Sequence, residues 1–395
     1  MTMPSSGALN MGGTSSPVSV AQELGLGLTT TISMDQANVR SLAGVSSTSG
    51  TTWSMNALYG KSNAVSYAVT ITGNRADYVL AASSVPGYSA GKTTVTITIV
   101  NGIVYPTTTG SPAMSFTGFT TGDKIILNIS PSSAIKGRGG NGGGGAVGVS
   151  YLGNAGSAAI STSCAIETAT TSAGYIQGGG GGGGGAGRGN STIAADACGG
   201  GGNGGGRGGG ISPYQGGDAG DPIVGNQNSL TPIGGDGGYA PPLVSTSTIG
   251  GGGAGWNYRT GATGGAGGSM ITVTGSTPKA SAGFGGDSGG GGVFGVFNGG
   301  GVSVTAGGGA GGAYNTAGSA GNANTSLSAA TGSRLSAGGG GGGAGQAGGA
   351  GQYRVSTGVS STLTTFAGGN AGNAIALNGF TFTNRGTTLV VGSVS

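Results

Sequence analysis

Thr94, Thr96 and Thr98 alternate with Val95, Ile97 and Ile99, and alternation at period two marks strands with one buried face. Further β-rich stretches lie at 65–72, 78–82 and 124–130. Turn signals at Pro86-Gly87, Asn101-Gly102, Ser111-Pro112 and Thr121-Gly122-Asp123 punctuate them. The pattern predicts a small antiparallel β-domain over 64–136. Upstream, residues 1–63 are polar and rich in Ser and Thr, with short structured signals at 21–28, 31–44 and 53–62. This stretch reads as a small docking module. From residue 137 the periodicity gives way to about eleven glycine-rich runs separated by more ordinary segments, among them 137–145, 178–189, 199–210, 234–238, 283–292, 299–312 and 338–351. A β segment is expected at 374–395.

Composition sharpens the boundary at 137. Of 101 glycines, 15 precede it and 86 follow. With 12 prolines and no sustained Gly-X-Y register, the chain is not collagen. Two readings remain for the runs. As flexible linkers they would be random coil, yet linkers have no reason to recur between β-branched and aromatic segments. The alternative is the threefold left-handed helix of the polyproline II type, rising about 3.1 Å per residue. Without Cβ atoms such helices approach until their backbones hydrogen-bond to one another. Ordering each glycine costs about 0.5 to 1 kcal/mol more than ordering alanine, so only a dense lattice of bonds at about 0.5 to 1.5 kcal/mol each offsets it. Uninterrupted runs such as 178–185 then belong inside, and diluted ones such as 369–373 outside. The fold class expected is mostly non-regular and β: a docking module (1–63), an antiparallel β-domain (64–136), a bundle of about eleven polyglycine II helices (137–373) and the C-terminal β segment (374–395).

Charge and chemistry exclude several functions. The net charge of +4 comes from scattered Lys and Arg, not from the basic stripe that phosphate neutralisation needs, so no nucleic-acid partner is expected. No secretory signal opens the chain and no run approaches a membrane span. The expectation is a protein made in a cytoplasm and not inserted in a membrane, with Cys164 and Cys198 free. There is no His, so neither a Ser-His-Asp nor a Cys-His arrangement exists. Gly60-Lys61-Ser62 and Gly91-Lys92-Thr93 lack the upstream glycine of a phosphate loop, where Met55 and Pro86 stand instead. Asp218, Asp221, Asp236 and Asp287 do not follow a calcium-binding nonapeptide and read as turn or cap residues. The sequence predicts no enzyme, no cofactor and no metal.

The stretch T-I-S-M-D-Q-A-N-V-R-S-L-A-G at 31–44, followed by S-M-N-A-L-Y-G-K-S at 54–62, resembles a short module of tailed-bacteriophage tail proteins. The junction G-D-K-I-I-L-N-I-S at 122–130, running into K-G-R-G-G-N-G-G-G-G at 136–145, is similar to their strand-to-polyglycine transition. The runs and variable segments together resemble the distal-tip adhesins of T-even-like long tail fibres. The resemblance implies a virion protein, joined through 1–63 to other tail or fibre proteins, whose glycine-helix bundle presents loops to a host outer-membrane protein or surface glycan. If successive runs are antiparallel, the segments 146–177, 211–233, 256–260, 293–298 and 323–337 emerge at the end far from the β-domain. They carry Tyr151, Tyr175, Tyr214, Trp256, Tyr258, Arg259, Phe294 and Phe297, residue types that concentrate binding energy at interfaces. These are the candidate receptor contacts, although each ring serves equally well to cover an end of the bundle. A structural fibre cap or connector is the alternative function. An ice-binding protein would need a flat, regular Thr/Ala face, against which the long irregular segments argue.

Overall fold

The computed structural model describes residues 3–46, 52–144, 152–185, 200–202 and 331–395, apart from 7, 13–18, 28, 62 and 358–360, together with short segments between 196 and 324. At the N-terminus, α1 (Val20–Glu23) is capped by the Ser19 hydroxyl, and α2 (Ala37–Ala43) ends where Gly44 turns left-handed (φ 72°). With the 3₁₀ turn Met55–Leu58 they enclose a small core of Met3, Val20, Val39, Leu42, Ala43 and Leu58. Arg40 of the 31–44 motif is buried, donating Nε to the Ser46 carbonyl (2.7 Å) and pairing with Asp35 (3.2 Å). The motif thereby ties both ends of α2 together.

The strands beyond residue 64 coil around a three-sided prism. The first circuit runs through β1 (Val65–Thr72), β2 (Arg75–Ala76) and β3 (Tyr78–Ala81), and the second through β4 (Thr93–Val100), β5 (Ile103–Tyr105) and β6 (Met114–Thr117). The third uses β7 (Lys124–Ile129), β8 (Ala134–Lys136) and β9 (Ile160–Ser161); the fourth begins with β10 (Ala165–Thr168) and β11 (Tyr175–Gln177). Each strand lies parallel on its counterpart one circuit earlier, Val65 opposite Thr93 and Thr94 opposite Lys124. The expected antiparallel domain is therefore a parallel β-solenoid. Alternation and turn signals report which face of a strand is buried, not its direction. Twenty-eight to thirty residues separate partners, enough for a full circuit where a hairpin needs two to five.

Inward-facing Val95, Ile97, Ile99, Ile125, Leu127, Ile129, Ile166 and Ile176 fill the prism. Stacking one circuit on the next brings backbones close at the corners: a Cβ on Gly102 would lie 1.8 Å from the Gly73 carbonyl oxygen. Buried Asp123 closes another corner, accepting from the Thr93 and Thr120 amides (2.9 and 2.8 Å) and the Tyr88 hydroxyl (2.7 Å). Burial, and then the bond to Asp123, raise the Tyr88 pKa. The N-terminal module meets the solenoid where Lys92 reaches buried Glu23 (3.6 Å) and the Gln22 carbonyl (3.2 Å).

Glycine-rich excursions leave from the single corner between β8 and β9 and, one circuit later, after β11. Residues 137–144 run outward, extending the β8–β11 ladder: the amides of Gly137, Gly140 and Gly143 donate to Gln177, Gly180 and Gly183 (2.7, 2.8 and 2.8 Å). Residues 153–159 return antiparallel, with Asn154 and Ser157 donating to Asn141 and Arg138 (2.9 and 2.8 Å). From 178 a second, much longer excursion begins. It carries β12 (Asp196–Ala197), β13 (Ser247–Thr248), β14 (Ile271–Val273), β15 (Lys279–Ser281), β16 (Val293–Val296), β17 (Val304–Gly307) and β18 (Asn322–Asn324). Further on come β19 (Thr331–Ala337), β20 (Gly351–Thr357) and β21 (Ser361–Phe366). The chain then re-enters the prism as β22 (Ile375–Ala376), β23 (Phe382–Thr383) and β24 (Leu389–Val391), which pair parallel with β9, β10 and β11. Residues 374–395 are thus the closing circuit of the same solenoid.

Candidate functional site

Glycines 178–185 form the centre of the glycine region, and their backbone contacts repeat every third residue. The amides of 178, 181 and 184 donate to Val391, Gln346 and Gly349; those of 179 and 182 to Ser157 and Asn154; that of 183 to Gly200, all within 2.8–3.0 Å. The carbonyls of 178, 181 and 184 accept from Gly345, Gly342 and Gly339, those of 179 and 182 from Gly372 and Gly369, and those of 180 and 183 from Gly140 and Gly143. Among the described residues, backbone from 140–143, 154–157, 200, 339–345, 346–349, 369–372 and the end of β24 therefore surrounds this segment. A Cβ added at each of the eight positions would meet a backbone oxygen at 1.9 to 2.3 Å. No other residue fits. On the outside the lattice tolerates side chains, and Asn370 and Ala155 are exposed.

The spacing of three converts this region into a spacer. Eight extended residues, spanning at most about 26 to 29 Å, carry the chain away from the solenoid corner. At that far end, threads become strands: 338–343 continues from β19, 346–350 runs into β20, and 366–372 continues from β21. These three strands and β15 and β16 form an antiparallel sheet in the order β15-β16-β19-β20-β21. The β20–β21 hairpin is paired over six positions, from Gly351 opposite Phe366 to Ser356 opposite Ser361, so it projects about 20 Å further. The far end thus consists of a Ser- and Thr-rich antiparallel sheet with one cation in each of β15 (Lys279), β19 (Arg334) and β20 (Arg354) and none in β21, on a base of threads hydrogen-bonded backbone to backbone.

Of the residues singled out by sequence, the structure places two. Position 294 lies in β16, opposite Ser336 of β19, and so belongs to the far-end sheet. Tyr175 does not: it opens β11, between Ala134 of β8 and Leu389 of β24, and is a half-buried part of the solenoid. Tyr175 is corrected from the far end to the base because 153–159 is itself a returning thread. Its sequence, G-N-A-G-S-A-A, is too dilute in glycine to announce one. Tyr151, Tyr214, Trp256, Tyr258, Arg259 and Phe297 lie outside the described residues. A second difference concerns the run 338–351, which folds back at Ala344 and Gly345 (φ 61°) into two antiparallel threads. That reversal sends 351–366 to the far end, a segment that the order of runs alone did not place there. Its signal was in the sequence: Q-Y-R-V-S-T and S-T-L-T-T-F flank G-V-S, a hairpin pattern.

Comparison with protein families identifies the family. The phage tail fibre adhesin Gp38 family matches residues 66–287, more than half of the chain. The chain belongs to that family. Membership in the Gp38 adhesins places it on the tail of a virion, consistent with the sequence resemblance. Among solved structures it is similar to the gp37–gp38 adhesin tip complex of the bacteriophage S16 long tail fibre, with 20% identity, a TM-score of 0.38 and 90% of this chain and 91% of that chain covered. No curated protein matches the chain. Among the described residues of this Gp38 adhesin, no three His, Cys, Asp or Glu side chains gather as a metal site. No helix among them is long and apolar enough to cross a membrane.

Proposed function

We propose that this adhesin attaches a phage to its host through the far end of its glycine threads, which we read as polyglycine II helices packed in a hexagonal bundle. Residues 1–63 hold the protein to another tail or fibre component. The host contact is an outer-membrane protein or a surface glycan, gripped without covalent chemistry by Tyr151, Tyr214, Trp256, Tyr258, Arg259, Phe294 and Phe297. Tyr175, located in the solenoid, leaves that set and serves the scaffold. The observation that carries this reading is the separation between base and tip. Among the described residues the threads 137–144, 153–159 and 178–185 leave or re-enter the solenoid at one corner, and on the polyglycine II reading the strands at their far end lie about 25 Å away, where exchange of side chains leaves the scaffold untouched.

The test is adsorption. Purified full-length protein should bind susceptible cells and block infection by the parent phage. Replacing 256–259 by Gly-Ser sequence of equal length, together with Phe294→Thr and Phe297→Thr, which keep strand-forming residues in and beside β16, should abolish both while the protein still unfolds in one cooperative transition. Wild-type protein that neither binds cells nor blocks infection, or exchanged protein that still does both, overturns the reading.

A further inference from the structure

The far-end sheet has one edge of unusual character. β21 pairs with β20 on one side only, and among the described residues no hydrogen bond reaches the other edge of Thr362–Thr365. Thr362, Leu363, Thr364 and Thr365 are exposed, so both faces of the strand as well as its edge meet solvent; Leu363 keeps 43% of its surface. Natural proteins blunt open edges with Lys, Pro, bulges or very short strands. β21 uses none of these: it is six residues long, uncharged, without Pro, and its register against β20 is unbroken. The solenoid of the same chain shows what protection looks like, since its closing strands β23 and β24 are two and three residues long and Arg385 stands beside them.

An open, uncharged, threonine-rich edge held on a hairpin about 20 Å beyond the glycine threads is chemically complementary to one class of occupant. In an antiparallel strand every second residue turns its N–H and C=O away from the existing neighbour. The row of alternating donors and acceptors so formed matches the backbone of another extended polypeptide and not the spacing of a glycan. We propose that β21 recognises its target by strand addition, accepting an extended, uncharged strand of a host surface protein as the sixth strand of the sheet. This rests on the receptor-binding reading above and narrows it from protein or glycan to protein, with main-chain bonds supplying affinity and the exposed threonine and leucine side chains supplying selectivity.

A proline scan of the full-length protein separates this from side-chain recognition. Thr362→Pro, Leu363→Pro, Thr364→Pro and Thr365→Pro are each measured for unfolding midpoint and for binding to susceptible cells. The two alternate positions whose amides face outward should keep the wild-type midpoint and lose binding at least tenfold. The corresponding alanine variants should lose less than threefold, and protease treatment of the cells should remove binding. Proline variants that fold and bind like wild type overturn strand addition, as do alanine variants that lose as much as the proline ones, or binding that survives protease and disappears on glycan removal. Wild-type protein that fails to bind cells at all instead overturns the broader adhesion reading, so the two failures are distinguishable.

Discussion

Replacing Gly182 by alanine tests the lattice within its central thread. The new Cβ would stand 2.0 Å from the Asn141 carbonyl oxygen and 2.4 Å from its carbon, so segment 138–144 must retreat by roughly 1.4 Å to reach van der Waals distance. The bonds from Gly140 and Gly143 to Gly180 and Gly183, now 2.8 Å, span the same gap and would stretch beyond about 4 Å, past any useful hydrogen bond. Losing both costs about 1 to 3 kcal/mol, and overpacking adds about 1 to 3 kcal/mol. The reduced freedom of the unfolded chain returns about 0.4 to 1 kcal/mol. The net expectation is a loss of about 1 to 5.5 kcal/mol, read from the guanidinium midpoint and slope and from faster amide exchange across 178–185. Exposed Ala155 on the returning thread is the control, and Ala155→Ser should stay within about 0.5 kcal/mol of wild type. If Gly182→Ala shifts the midpoint no more than Ala155→Ser, and the amides of 178–185 exchange no faster, the backbone lattice is not what orders this region.

Lys92→Met should loosen the N-terminal module, because it strips the buried Glu23 carboxylate of its cationic partner at 3.6 Å, at a cost of about 3 kcal/mol; limited proteolysis after residue 44 should accelerate while the solenoid resists. Burial pushes the Cys164 thiol up to about 11 from 9.0, so it should resist alkylation at pH 8 in the native protein and react on unfolding. Because the folded value is the higher one, the stability it contributes is complete below about pH 9 and is lost between about pH 9 and 11, with alanine at 164 flattening that part of the pH profile. Deleting 388–395 removes the pairs of Leu389, Val390 and Val391 with β11 and of Val394 with Ile375. Exchange in the threads should then rise first at Gly178, whose amide donates to Val391 (2.9 Å).

How much of this was legible depended on what each residue type reports. Thr94 to Ile99 announced a half-buried strand because alternation is a property of one strand, whereas parallel pairing is a property of two strands 28 to 30 residues apart. The glycines of 178–185 announced an interior segment because all eight are hemmed in by backbone. The threads 153–159 and 369–373 need glycine only where they face inward, and Asn154, Ala155 and Asn370 disguise them as connecting sequence. That disguise misplaced Tyr175. The fold-back at Ala344 and Gly345 was hidden for the opposite reason, since a left-handed glycine at a turn looks like any other glycine in a run. The resemblance to T-even-like long-tail-fibre adhesins, carried by the module, the strand-to-glycine junction and the glycine runs, agrees with the Gp38 family match without fixing either the solenoid or the position of the β20–β21 hairpin.

The solenoid explains how a chain with so little apolar content can order so much glycine. Threads have no side chains with which to choose a register, but the β8–β11–β24 ladder supplies one: Gly137 donates to Gln177 and Gly178 to Val391, continuing the sheet's own bonding into the lattice. Closure then depends on pairing across very different chain lengths. Ile166 meets Ile125 across 41 positions and Phe382 across 216. Loop-closure entropy grows only with the logarithm of length, about 0.6 kcal/mol per doubling, so this fivefold difference costs roughly 1.5 kcal/mol. A few parallel pairs in the last circuit offset that. Segments at the far end can consequently lengthen or change sequence at little cost to the closing circuit, provided the glycines of the inner threads stay.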